Sequence, residues 1–340
     1  MSDHFIKNIE IKNFKCFKDF KAEGFGRVNL IGGKNNVGKS TFLEALYINT
    51  NTDQTKFFLN ALLKIAMKRD NFFLANSAKS GISFLKTIFY LKSIVSQRYK
   101  TNVLSYINTN KNQINFNFRE DIVGLKIEYS INQENKDSVN ISLNDIKSLF
   151  FDSELVTNPK VHFLRPMGLS NYNINKFYVN IQKLEKETQL NEKLNLFDKS
   201  IQKFKILDGE PQVLSNEDYI SVTQLGDGIK KLINIFIAIY SAKDGTLFLD
   251  ELDSGMHYTM IDELWEIILT ISKEQNVQVF ATTHSKECIE SYARVAKKLE
   301  DEEITFIELG KNKEDELKAM VYSYDWFIDE VEQNHEVRGW

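Results

Sequence analysis

Nine consecutive residues carry the clearest chemistry in the chain: Gly33-Lys34-Asn35-Asn36-Val37-Gly38-Lys39-Ser40-Thr41. They fit Gly-x-x-x-x-Gly-Lys-Ser/Thr without deviation, after an apolar stretch at 27–31 and before a run of helix-forming composition at 40–49. Glycines let the backbone turn so that successive N–H groups converge on phosphate oxygens. A helix N-terminus behind them adds partial positive charge. In such a segment Lys39 reaches the β- and γ-phosphates of a nucleoside triphosphate, and the Ser40 hydroxyl ligates Mg2+. ATP and Mg2+ are therefore the expected ligands, held by residues 33–41.

A second element is Gly245-Thr246-Leu247-Phe248-Leu249-Asp250-Glu251, an apolar strand that delivers two acids at its C-terminal end. Open α/β sheets bind ligands at that edge. Asp250 suits the Mg2+ shell, and Glu251 can polarise an attacking water. A third is another apolar run, 277–283, ended by His284, whose imidazole can hydrogen-bond a γ-phosphate and report its loss. The catalytic candidates are Lys39, Glu251 and His284; the metal candidates are Ser40 and Asp250. A fourth element, Leu225-Gly226-Asp227-Gly228-Ile229-Lys230-Lys231, precedes a helix. Its glycines at a helix N-terminus make an anion site, to which Lys230 adds charge.

The elements that must position these residues follow from periodicity. Residues 4–14 and 27–31 read as strands, and 56–69 as an amphipathic helix with a stripe at Leu59, Leu62, Leu63, Ala66 and Met67. Lys64, Lys68 and Arg69 flank that stripe and are expected to face solvent. Residues 82–95 suggest a further helix. Residues 113–119, 124–131 and 138–143 alternate as antiparallel strands, with Ile114, Phe116 and Phe118 on one face. Pro159 and Pro166 bracket a strand-like 161–165, and a Lys/Glu/Gln-rich stretch from 175 to about 205 reads as a helical arm or lid. After Pro211 helices at 229–242, 260–273 and 287–296 alternate with strands at 246–250 and 277–282, the pattern of a parallel α/β sheet.

The order of these motifs resembles the ABC-type ATPase head of the SMC/RecF/OLD group. Leu-Gly-Asp-Gly-x-Lys-Lys, Asp-Glu-x-x-x-Gly-x-His (Asp250 to His257) and a closing Glu-Val-Arg at 336–338 resemble the bacterial AAA-15/AAA-21-like ATPases of OLD-family nucleases and anti-phage operons. The resemblance covers about 4–50 and 219–340. It implies a P-loop α/β fold with a mixed sheet, an antiparallel β subdomain and a mainly helical insertion. The division would be an N-terminal lobe at 1–50, an insertion at 51–218 (basic helices about 55–110, antiparallel strands about 113–165, the arm about 175–205) and a C-terminal lobe at 219–340. It also implies a head-to-head homodimer, with each ATP enclosed between one P-loop and the partner's Gly226, Asp227, Gly228 and Lys230. The chain departs from Leu-Ser-Gly-Gly-Gln, since Gly226 and Asp227 take the Ser and Gly places, and no glutamine matches the family's Q-loop. Only 56 residues follow His284, too few for the Toprim nuclease domain of OLD proteins, so no nuclease is expected in cis.

Composition narrows the rest. At 42% hydrophobic and 26% charged residues the chain is globular, with no run long enough to span a membrane. The N-terminus lacks a secretory pattern, and Cys16 and Cys288 match no metal spacing, so a reduced cytoplasmic location is expected. The net charge of −4 hides an asymmetry: residues 56–119 hold eleven basic residues and one acid, whereas 300–336 hold thirteen acids and three lysines. The acids at 301–303, 325, 329 and 330 read as a solvated or partner-facing surface. The basic segment, with Phe57, Phe58, Phe72, Phe73 and others, either tracks nucleic acid or is an insertion with its own core. Three functions stay open: an ATPase subunit controlling a separate effector such as a nuclease, a RecF-like DNA clamp, and a slow ATP-bound scaffold that sequesters a partner.

Overall fold

Apolar runs without polar alternation form strands covered on both faces, and here they build the centre of the molecule. The computed structural model describes residues 2, 4–67, 104–121, 124–133, 137–142 and 158–333. The central sheet has the order β15-β14-β3-β13-β12-β8. Its members are β3 (Val28–Gly33), β8 (Val161–Leu164), β12 (Thr246–Leu249), β13 (Gln278–Thr282), β14 (Ile304–Lys311) and β15 (Leu317–Tyr322). All neighbours pair in parallel except β15 on β14. Side chains alternate between faces. Phe248, Phe280, Ile31 and Ile307 enter one core, whereas Leu247, Leu249, Val279 and Ala281 enter the other.

The first core lies between the central sheet and an antiparallel sheet of order β2-β1-β4-β5-β6-β7. That sheet comprises β1 (Asn8–Phe14), β2 (Phe17–Glu23), β4 (Ser105–Thr109), β5 (Gln113–Asp121), β6 (Gly124–Ile131) and β7 (Asp137–Ser142). Helices α1 (Lys39–Thr50) and α2 (Thr55–Met67) belong to this core. Phe163, Phe248 and Phe280 stack in series across it, with Phe25 edge-on to Phe280. The second core holds α3 (Asn171–Lys183), α4 (Glu187–Phe197), α5 (Asp227–Ser241), α6 (Ile261–Glu274), α7 (Lys286–Lys298) and α8 (Tyr324–Glu332).

Several expectations change. Strand 161–165, grouped by sequence with the antiparallel strands, runs parallel to β12, with Leu164 opposite Leu249. The stretch 175–205 is not one projecting arm. It forms α3 and α4, whose Ile174, Tyr178, Ile181, Leu190 and Leu194 are buried in the second core, and then a strand. That strand, β9 (Ile201–Leu207), turns through Asp208 and Gly209, both at positive φ, into β10 (Glu210–Ser215). Asp-Gly with two positive φ values is the two-residue hairpin turn whose twist matches its strands. A second such turn at Asn216–Glu217 leads to β11 (Asp218–Ser221). On α2 the expected Leu62 and Leu63 are buried and Leu59 packs partly buried on the same core, but the buried face is wider than expected and also takes in Phe57, Phe58, Ala61 and Ile65, with Phe58 meeting Phe116 and Tyr129. Ile114, Phe116 and Phe118 are all buried, as their alternation requires.

The acidic C-terminal segment is not simply a solvated face. Asp301 is buried and ion-pairs with the Arg27 guanidinium, which also donates to Leu269 O at 3.1 Å and reaches Ser272 and Glu303. Glu308 accepts from the buried Tyr322 hydroxyl at 2.6 Å. Strand pairing crosses the division read from sequence at 50/51 and 218/219, since β4 pairs with β1 and β8 with β12. The expected helix at 82–95, Lys68, Arg69 and the closing 336–338 lie outside the described residues. Among the described residues no helix is long and apolar enough to cross a membrane.

Candidate active site

Because β3, β12 and β13 are parallel neighbours, their C-terminal ends open at one edge. There β3 passes into the loop 34–38 and α1. Gly33 has φ +137°, and a Cβ on it would lie 2.3 Å from Leu309 O; Gly38 has φ +89°, and a Cβ would meet Cys16 Sγ at 2.8 Å. Both positions therefore demand glycine. Asn36 takes a left-handed φ of 62°, and Val37 anchors the loop in the first core while Lys34, Asn35 and Asn36 are exposed. Burial pushes the Cys16 thiol up, against a lowering influence of the Thr41 side chain.

The Lys39 ammonium is folded back on the loop, donating to Gly33 O at 2.6 Å and Lys34 O at 2.8 Å. Burial pushes it down to about 8, against the pull of Asp250, Glu251 and Asp253. Ser40 Oγ donates to Asp250 Oδ1 at 2.9 Å, and Thr282 Oγ1 donates to the same oxygen at 3.0 Å. Thr282 Oγ1 in turn accepts the Glu251 N–H at 2.8 Å. Glu251 has φ +51°, a left-handed backbone that costs a non-glycine residue roughly 1–2 kcal/mol. His284 is exposed beside this group. Partial burial and then the Lys39 charge hold its pKa below the ordinary value, while Glu251, Asp253 and Asp250 pull it up.

Ser40 and Asp250 thus bring two hard oxygen donors together, the type Mg2+ prefers when phosphates and water complete its shell. Among the described residues no group of three or more His, Cys, Asp and Glu could hold a metal by itself. A site completed by substrate phosphates requires none.

The turn Gly226-Asp227-Gly228 stands on a different element, at the start of α5, with Gly226 as N-cap. Gly226 and Asp227 are exposed, and nothing lies within 4 Å of a Cβ placed on Gly226. Gly228 is buried instead, where a Cβ would lie 3.3 Å from Met256 Sδ. Lys230 pairs with Asp227 at 3.3 Å on the surface.

Sequence reasoning missed three residues here. Thr282 bridges Asp250 and Glu251; Thr283 donates to Asp253 Oδ1 at 2.6 Å; and Lys231 donates to Glu251 O and Ser254 O. The Thr-Thr doublet before His284 and the second lysine of Lys230-Lys231 were the available signals. Lys64, expected in solvent, is half-buried: burial, Arg165 and Lys176 push its pKa down to about 8, and its carbonyl accepts from Arg165 Nη2 at 2.8 Å. Phe57 and Phe58 are core residues, so this part of the basic segment offers no aromatic surface.

The family model AAA_21, described as "AAA domain, putative AbiEii toxin, Type IV TA system", matches residues 28–290. An ATP/GTP phosphatase of Helicobacter pylori is 28% identical over 325 residues, covering 84% of this chain and 86% of its own. Among solved structures, an SMC head bound to the C-terminal winged-helix domain of ScpA superposes with a TM-score of 0.51 at 12% identity, over 94% of this chain and 99% of that one. An SMC head domain from Thermotoga maritima gives 0.46 at 14% identity, with the same coverage.

Proposed function

The chain belongs to the AAA_21 family and is an ATPase of ABC type with an SMC-head-like fold, and on that premise we propose that it acts as a dimerising, ATP-driven switch subunit. Two chains meet head to head, and each nucleotide is enclosed between residues 33–41 of one chain and Gly226, Asp227, Gly228 and Lys230 of the other. The cycle controls a separate effector, with a nuclease as the candidate, in anti-phage defence or DNA maintenance in the cytoplasm. The family's description as a toxin of a type IV toxin–antitoxin system supports a defence role.

One observation carries this reading. Lys39, Ser40, Asp250 and Glu251 gather at a single sheet edge, while the glycine turn presents Gly226 and Asp227 outward on another element. In the proposed hydrolysis Lys39 exchanges its loop carbonyls for β- and γ-phosphate oxygens. Glu251 accepts a proton from water as that water's oxygen bonds to the γ-phosphorus, and the bond from that phosphorus to the β-bridging oxygen breaks, releasing ADP and phosphate. His284 hydrogen-bonds the γ-phosphate. Bound Mg2+, held by Ser40 and Asp250, would supply neutralisation of phosphate charge.

The test is sedimentation of Glu251→Gln with and without MgATP. A nucleotide-dependent dimer with turnover reduced about 10²- to 10⁴-fold is expected. A species that stays monomeric at saturating MgATP rejects the enclosed-nucleotide arrangement.

A further inference from the structure

Lys230 and Lys231 are adjacent in sequence and separate completely in the fold. Successive helical residues point about 100° apart, so Lys230 stays at the surface with Asp227 while Lys231 turns inward and is only 9% exposed. A buried ammonium must be hydrogen-bonded. Lys231 Nζ donates to Glu251 O at 2.6 Å and to Ser254 O at 3.0 Å.

Glu251 is thereby pinned on both sides: Thr282 Oγ1 accepts its N–H, and Lys231 holds its carbonyl. Its left-handed backbone is a conformation the side chain itself disfavours, so outside contacts must maintain it. The direction of the Glu251 carboxylate depends on that backbone. Lys231 also lies one turn into α5, the helix that starts at the exposed Gly226-Asp227 turn.

We propose that Lys231 is a positioning residue for hydrolysis, holding the Glu251 peptide so that its carboxylate faces the attacking water and tying that aim to the glycine turn. The proposal rests on the reading of Glu251 as the base. Nucleotide binding uses Lys39 and the loop amides, which Lys231 does not touch, so the two effects separate.

The experiment measures single-turnover hydrolysis and equilibrium ATP affinity for the full chain and for Lys231→Met, Lys231→Arg, Glu251→Gln and the double variant Lys231→Met/Glu251→Gln. Lys231→Met should lower the rate about tenfold or more with affinity within about twofold, and Lys231→Arg should recover part of the rate. In the Glu251→Gln background Lys231→Met should change the residual rate by less than about twofold, since residues acting as a unit are not additive. Equal losses in both backgrounds, or matched losses of rate and affinity, overturn the positioning role. If Lys231→Met does not fold, Lys231→Gln, one atom shorter but still carrying an N–H donor group, is read against the same two criteria. Wild-type turnover in Glu251→Gln overturns the base assignment, and this proposal falls with it. A loss there beside an unselective Lys231 effect overturns the positioning role alone.

Discussion

Ser40 Oγ and Asp250 Oδ1 lie 2.9 Å apart although 210 residues separate them in the chain. One is at the start of α1 and the other one residue beyond β12, and β13 lies between their two strands in the sheet. Thr282, at the end of β13, completes the connection by donating to the same oxygen at 3.0 Å.

Removing the Lys39 ammonium should disable this edge. Lys39→Ala is expected to weaken MgATP binding about 10- to 100-fold, the range for charge-assisted hydrogen bonds to phosphate. Isothermal calorimetry checks it, and unchanged affinity would contradict the phosphate role of Lys39.

The glycine turn can be tested without disturbing its own chain. Gly226 has open space, whereas Gly228 is packed on Met256, so Gly226→Glu is the informative change. It should keep the wild-type melting temperature and lose hydrolysis, because the added carboxylate repels a phosphate presented by a second chain. Mixing it with Lys39→Ala should restore up to one working site per mixed dimer. Full activity of Gly226→Glu alone would exclude the turn from the site.

Arg27 is 2% exposed and its charge is met inside the protein by Asp301. Asp301→Ala should cost about 3 kcal/mol, as expected when one partner of a buried pair is removed. Breaking the exposed Lys297–Glu332 pair should shift stability far less, because solvent screens it. Urea midpoints of the two variants decide; equal shifts would argue against a buried pair.

His162 is 8% exposed, packs against Phe177 with tilted rings whose centroids are 4.3 Å apart and shares a hydrogen bond with Ser241 at 2.9 Å. Burial pushes its pKa from 6.5 to about 4. Between those values the unfolded chain binds the extra proton, so stability is full above about pH 6.5 and falls as pH drops toward 4. From pH 7.5 to 5.0 the native state should lose about 2 kcal/mol from this residue alone. Chemical denaturation at both pH values should show His162→Gln losing less than wild type; an equal loss would mean that His162 titrates normally.

The phosphate loop, its two required glycines and the acidic pair after β12 were legible from sequence because each is local. A turn, a helix start and a strand end are written in consecutive residues, whose backbone demands do not depend on distant partners. The Asp208-Gly209 hairpin was equally local, but the Lys/Glu/Gln composition around it favoured a helix and masked the turn signal. Which groups meet was decided elsewhere. Thr282 reaches Asp250 only because β13 lies beside β12 in parallel register, and Lys231 rather than Lys230 holds Glu251 only because α5 turns one side toward the core. Asp301 reads as one more acid in an acidic tail until β14 is laid beside β3 and Arg27 closes on it. Sheet order and helix rotation are set by burying apolar surface across the whole chain, and no short stretch of residues encodes that sum.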